Sequence, residues 1–165
     1  MCVENLSITQ IRADISDFWV RTLKSDPQRA ADCEYVFSMY EKYNLRNVND
    51  RNDLFDLKLA LWRFFGKMLR HESNNAALIE KFKEMNIQYI NIDGYGDEKL
   101  LGDLLKIATL RQVHLTKSNV TDEGLSQLKE LPNLQSIHIA YCLQISEQGV
   151  AKMKTEMPKL CIYRC

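Results

Sequence analysis

Histidine is the side chain best suited to proton or metal chemistry near neutral pH, and this chain has three: His71, His114 and His138. His114 and His138 stand 24 residues apart, in matching places of Leu110-Arg111-Gln112-Val113-His114-Leu115 and Leu134-Gln135-Ser136-Ile137-His138-Ile139. Imidazoles on adjacent strands can reach one ion, with Asn91, Asp93 or a partner's carboxylate beside them, so a metal-dependent enzyme or metal sensor using His114 and His138 is one reading. Two ligands fall short of a usual zinc site, and the plainer reading is a pair of exposed hydrogen-bonding residues on a recognition surface. Asp97, Glu98 and Asp103 could face a hard cation, but a solvated acidic helix start explains them more simply. Cys142 is close in sequence to His138, yet a nucleophilic thiol needs an electropositive pocket, and its place in the repeat points inward. Gly-x-Gly-x-x-Gly, phosphate-loop, Gly-x-Ser-x-Gly and His-Glu-x-x-His motifs are all missing from the sequence. No catalytic residue is therefore assigned, no cofactor is expected, and the chain is read as a non-enzyme.

The segments that carry these histidines repeat. An apolar residue fills the first, fourth and sixth places of both; Ile87-Gln88-Tyr89-Ile90-Asn91-Ile92 has the same form 23 residues upstream, and Leu160-Cys161-Ile162 begins a shorter copy 26 residues after Leu134. That spacing is the signature of a leucine-rich repeat. The expected fold is α/β: a short stack of about four parallel strands with outer helices, capped by an N-terminal helical region. Side chains alternate along a strand, so Ile90, Ile92, Val113, Leu115, Ile137 and Ile139 should point into the stack. The opposite side then forms a ledge of Tyr89, Asn91 and Asp93 beside Gln112, His114 and Thr116 beside Ser136, His138 and Ala140. Asn91, His114 and His138 should form one row. Recognition is expected from Tyr89, Asn91, Gln112, His114, Ser136 and His138, with Tyr89 as the aromatic anchor.

Each strand leads through a turn into a capped helix. Asn119 and Cys142 take the Asn/Cys place of the repeat, where a buried amide or thiol ties down the turn. Asp97, Thr121 and Ser146 are the expected N-caps, with Asp122, Glu123 and Glu147 in the first turns, where the positive end of the helix dipole favours them.

Upstream the periodicity becomes helical. Ile8, Ile11, Ile15, Phe18, Trp19 and Leu23 recur at helical spacing, as do Val36, Phe37, Tyr40 and Tyr43, then Leu54, Leu57, Leu61, Phe64, Phe65 and Met68. Ser25-Asp26-Pro27 opens the second helix, and Ala76–Met85 leads into the first strand. The domains are thus 1–75, a helical cap, and 76–165, the repeats. Lys159, Pro158 and Arg164 should blunt the last strand. Lysine plus arginine and aspartate plus glutamate each number 22, so no net field draws the chain to nucleic acid. No apolar run reaches the length of a membrane span, leaving peripheral membrane contact as the open form of membrane association. Five cysteines without a Cys-x-x-Cys pair, and a start at Met1-Cys2-Val3-Glu4-Asn5-Leu6 unlike a secretory leader, point to free thiols in a reducing compartment. The same start is neither Arg-rich nor free of acidic residues, unlike a mitochondrial presequence.

The order of parts resembles the mitochondrial ATP synthase subunit s group, also called coupling factor B, and its relatives in respiratory-chain assembly. A small helical head, about four irregular repeats and the ending Met157-Pro158-Lys159-Leu160 carry the likeness. Pro27-x-Arg29-Ala30-Ala31 before an aromatic-rich helix looks like that group's proline-x-arginine-alanine-alanine stretch, and Ile87–Gly94, with Ile92-Asp93, looks like its first strand. The resemblance covers roughly two-thirds of the chain. Residues 44–75 lack the group's tryptophan-to-tyrosine connection, and Thr121-Asp122-Glu123-Gly124-Leu125 is equally like many bacterial and cytosolic leucine-rich proteins. The resemblance implies an accessory or assembly factor of ATP synthase or respiratory complexes, bound to their subunits at the mitochondrial matrix and inner membrane. The alternative is a cytoplasmic or bacterial leucine-rich adaptor.

Overall fold

A computed structural model describes residues 13, 14, 16, 17, 30–43, 55–71 and 76–164. Among these the protein is mixed α/β, with six α-helices and four parallel strands. The chain divides into two compact units, Met1–His71 and Glu72–Cys165.

The first unit contains α1 (Ala30–Lys42) and α2 (Phe55–His71). Helical spacing puts Val36, Met39, Tyr40 and Tyr43 on one buried stripe and Leu61, Phe64, Phe65 and Met68 on another. The stripes meet at Phe65, whose ring stacks on Phe37 at 5.9 Å and meets the edge of Tyr40 at 5.8 Å. Residues 13, 14, 16 and 17 are helical, and the Asp14 carboxylate accepts from Lys42 and from the Tyr43 hydroxyl. The expected start at Ser25-Asp26-Pro27, the flanking Ile8, Ile11, Ile15, Phe18, Trp19 and Leu23, and the side chains of Leu54 and Leu57 lie outside the described residues.

The second unit opens with α3 (Ala76–Glu84), which buries Ile79 and Phe82. Asn86 ends it at φ +54°; the Ile87 N–H then reaches back to the Phe82 carbonyl and the Asn86 N–H to that of Lys83. These are the two bonds of a Schellman stop, with asparagine where glycine is commonest. The strands follow in chain order: β1 (Tyr89–Asn91), β2 (Gln112–His114), β3 (Ser136–His138) and β4 (Cys161–Tyr163), all parallel. Between them lie α4 (Glu98–Leu104), α5 (Asp122–Gln127) with a 3₁₀ turn at Leu128–Glu130, and α6 (Glu147–Glu156).

Register pairs Tyr89 with Gln112, Gln112 with Ser136 and Ser136 with Cys161, which are steps of 23, 24 and 25 residues. The last step corrects the 26 obtained by matching Leu160 to Leu134. Arg111 and Gln135 separate the leucine from the strand in the earlier copies, and the final copy lacks that residue. Ile90, Ile92, Val113, Leu115, Ile137 and Ile139 are buried as the alternation requires, and Leu101, Leu104, Leu125, Leu128, Val150 and Met153 of the helical segments join them in the core. Each of these residues removes roughly 1.5–3 kcal/mol worth of apolar side chain from water. Gly94, Lys117 and Tyr141 occupy matching turn positions at φ +80°, +57° and +57°. The Gly94 N–H donates to the Thr116 carbonyl and that of Lys117 to Ala140, so the ladder continues into the left-handed turn even where the residue is not glycine.

Candidate functional site

The ledge is built by alternation along strands of three residues each. Gln112 and His114 flank buried Val113, Ser136 and His138 flank buried Ile137, and Cys161 and Tyr163 flank Ile162. Parallel register then sets like positions side by side. His114 and His138 stack with ring centroids 4.0 Å apart and planes 14° from parallel, and Tyr163 continues the pile on His138 at 4.4 Å and 20°. The Gln112 side-chain amide nitrogen lies 2.8 Å from Nε2 of His114 and 2.9 Å from Nε2 of His138. An amide nitrogen carries two hydrogens and can donate one to each ring.

Both imidazoles are held toward the neutral form. Burial and then the neighbouring His138 push His114 down to about 4, against an opposing pull from Asp93. Burial lowers His138 as well, again opposed by Asp93. Burial outweighs Asp93 at both rings; the Asp93 Oδ1 accepts the Thr116 N–H at 2.7 Å and Oδ2 the Asn91 amide at 2.9 Å.

Of the six residues expected to recognise a partner, Gln112, His114, Ser136 and His138 lie together and half-buried on this face, and Tyr89 is half-buried one strand away. Asn91 departs from expectation. It is 3 % exposed. Its Oδ1 accepts the Asp93 N–H at 2.9 Å, and the Tyr95 hydroxyl donates to its carbonyl at 3.0 Å, so the turn after β1 consumes its polar groups. Asn91, His114 and His138 do lie in one row across the sheet, which Tyr163 continues on the last strand; the ring stack within that row is His114, His138 and Tyr163. Tyr163 was hidden by the slip of one residue in the final copy; aligning on the strand rather than on Leu160 brings it opposite His138. In the helical head Trp62 is buried, at 8 % exposed; Arg29 lies outside the described residues.

The Gln112 nitrogen stands where an ion shared by His114 and His138 would stand, at distances well beyond the ~2.0–2.1 Å of a zinc–imidazole bond. Among the described residues no group of three or more His, Cys, Asp or Glu is placed to hold a metal. Asp97, Glu98 and Asp103 are each occupied. Asp97 caps α4 through the Leu100 N–H, Asp103 pairs with Lys106, and Glu98 accepts from the N–H and hydroxyl of Thr121.

That last contact begins a second column, along the helix starts. Thr121 and Ser146 cap α5 and α6 as expected, accepting from Gly124 and Gly149. Each cap is itself held by the preceding helix: Glu98 grips Thr121, and Asp122 grips the N–H and hydroxyl of Ser146 at 2.8 and 2.6 Å. Those bonds from Ser146 hold the Asp122 carboxyl below its usual range. The glycine of each helix start now has a reason. A Cβ on Gly149 would come within 2.0 Å of the Asp122 carboxylate, and one on Gly124 within 2.3 Å of Glu98. Arg164 finishes the column, bonding the Ile145 carbonyl and pairing with Glu147. In the turn column, Cys142 is buried and donates to the Leu115 carbonyl at 2.9 Å as expected. Its counterpart is Ser118, 4 % exposed and 3.4 Å from the Cys142 sulfur, rather than Asn119, which is exposed. Counting back 24 from Cys142 identifies it.

Tyr141, Leu143 and Tyr163 are the large apolar side chains left exposed among the described residues, and Lys117 Nζ lies 5.8 Å from the Tyr141 ring. No helix among those residues is long and apolar enough to cross a membrane. Cys33, Cys142 and Cys161 are free thiols. No protein-family model and no curated protein matches the chain.

Proposed function

We propose that the chain is a non-catalytic protein-binding module of the leucine-rich repeat kind, with residues 1–75 as the N-terminal cap that a repeat stack needs for solubility. One observation supports the reading: Gln112, His114, Ser136, His138 and Tyr163 lie side by side on one face of a parallel sheet, where a partner's surface could meet them together. Stacked rings held by a shared donor present a rigid surface, which lowers the entropy lost when a partner docks. Tyr163 supplies the aromatic anchor, with Tyr89 on the far strand.

The partner is proposed from the resemblance to the coupling factor B group: subunits of ATP synthase or of respiratory complexes. Quantitative capture from cells that make the protein tests both parts. Wild-type protein should retain such subunits, and the folded double variant His138→Ala, Tyr163→Ala should lose them. Recovery of cytosolic partners alone would remove the mitochondrial assignment, and capture unaltered by the double variant would move the site off the ledge.

A further inference from the structure

Gln112 meets two imidazoles with one nitrogen. As a donor to both Nε2 atoms, at 2.8 and 2.9 Å, it requires each ring to offer a lone pair there and to carry its hydrogen on Nδ1. A proton added to either Nε2 would set donor against donor. It would also place positive charge against a parallel ring whose centroid is 4.0 Å away. We propose that Gln112, His114 and His138 form a latch that keeps the ledge in its binding shape only while both rings are neutral, and that one proton on either ring releases the Gln112 side chain and opens the stack. The consequence for binding rests on the ledge being the partner site; the latch itself does not.

Asp93, after β1, is the carboxylate facing both rings, and it favours the proton. Its two oxygens accept N–H groups from Thr116 and Asn91. Asn91 across from His114 and Tyr163 against His138 are uncharged. Burial outweighs the pull of Asp93 at both rings and His138 adds to it at His114, so a proton on either ring is disfavoured.

Long-range nitrogen–proton correlation spectra of the full chain, recorded from pH 8 to 4, read the tautomer and titration of each of the three histidines. At pH 7.5 His114 and His138 should both be Nδ1–H tautomers, and both should reach half-protonation below the ordinary imidazole value of 6.5. Gln112→Glu, which puts an acceptor where the donor was, should raise the first midpoint by at least one pH unit, about a tenfold change in proton affinity. Nε2–H tautomers, or titration near 6.5 for both rings in wild type and variant alike, would overturn the latch. Wild-type spectra decide the matter even where the variant folds poorly. Partner capture at pH 7.5 separates the two readings: its loss of dependence on the ledge sinks the binding surface and leaves the latch standing, whereas ordinary histidine titration sinks the latch alone.

Discussion

The helix-start rim and the ledge are built by the same repeat step, yet they use it in opposite ways. On the rim the step alternates unlike groups, Glu98 with Thr121 and Asp122 with Ser146, so every acceptor meets a donor from the next repeat. On the ledge it sets like beside like, His114 on His138, and the pair is satisfied by one amide reaching sideways from Gln112. A column of complementary partners holds repeats together. A column of stacked neutral rings is more sensitive to added charge than a column of complementary pairs.

The comparison can be calibrated against the core that lies beneath both columns. Leu115→Ala removes a fully buried side chain and should cost roughly 2–5 kcal/mol in denaturant unfolding. A smaller loss would mean that the sheet is not the common support of rim and ledge.

Acid should strike the ledge next. His114 is held down to about 4, so the folded state disfavours its proton. That contribution is fully present above the unfolded value near 6.5 and is lost as pH falls from there to about 4, at most about 3 kcal/mol. Asp122, also held low, acts in the same direction but at more acidic pH. His114→Ala should therefore flatten the decline between pH 6.5 and 4 in urea titrations, while Asp122→Asn should leave that window in place.

Crowding tests the rim. Gly149→Ala would press a methyl group into the Asp122 carboxylate, which must swing off Ser146, and should lose the roughly 0.5–1 kcal/mol gain that alanine otherwise brings to a helix. Gly102→Ala, in α4 with open space around the new carbon, should instead stabilise by about 0.5–1 kcal/mol. Equal melting temperatures for the two variants would deny the rim its interlocking role.

Much of this was legible in the sequence because strand alternation and helix capping are local. The buried set from Ile90 to Ile139, and the caps Asp97, Thr121 and Ser146, follow from neighbours along the chain. What escaped depends on contacts between repeats. Tyr163 is masked in the sequence by a one-residue shortening that only pairing reveals, and Ser118 is masked by its neighbour Asn119, the more familiar residue type at that place. The glycines of the helix starts are visible in the sequence, but their reason lies on the preceding helix, 26 or 27 residues away. Asn91 sits on the side of its strand that alternation assigns, yet the turn after β1 takes up its hydrogen bonds.

The smallest expected effect on stability is the most telling for function. His138→Ala, Tyr163→Ala alters half-exposed or exposed side chains, each change costing about 0.5 kcal/mol or less, whereas aromatic anchors of this kind commonly contribute 2 kcal/mol or more to binding. Partner capture by wild type, this ledge variant and the rim variant Asp122→Asn, compared at equal folded concentration and pH 7.5, is the most direct test. The account predicts that wild type and the rim variant retain the same partner subunits and the ledge variant loses them; undiminished capture by a folded ledge variant would contradict it.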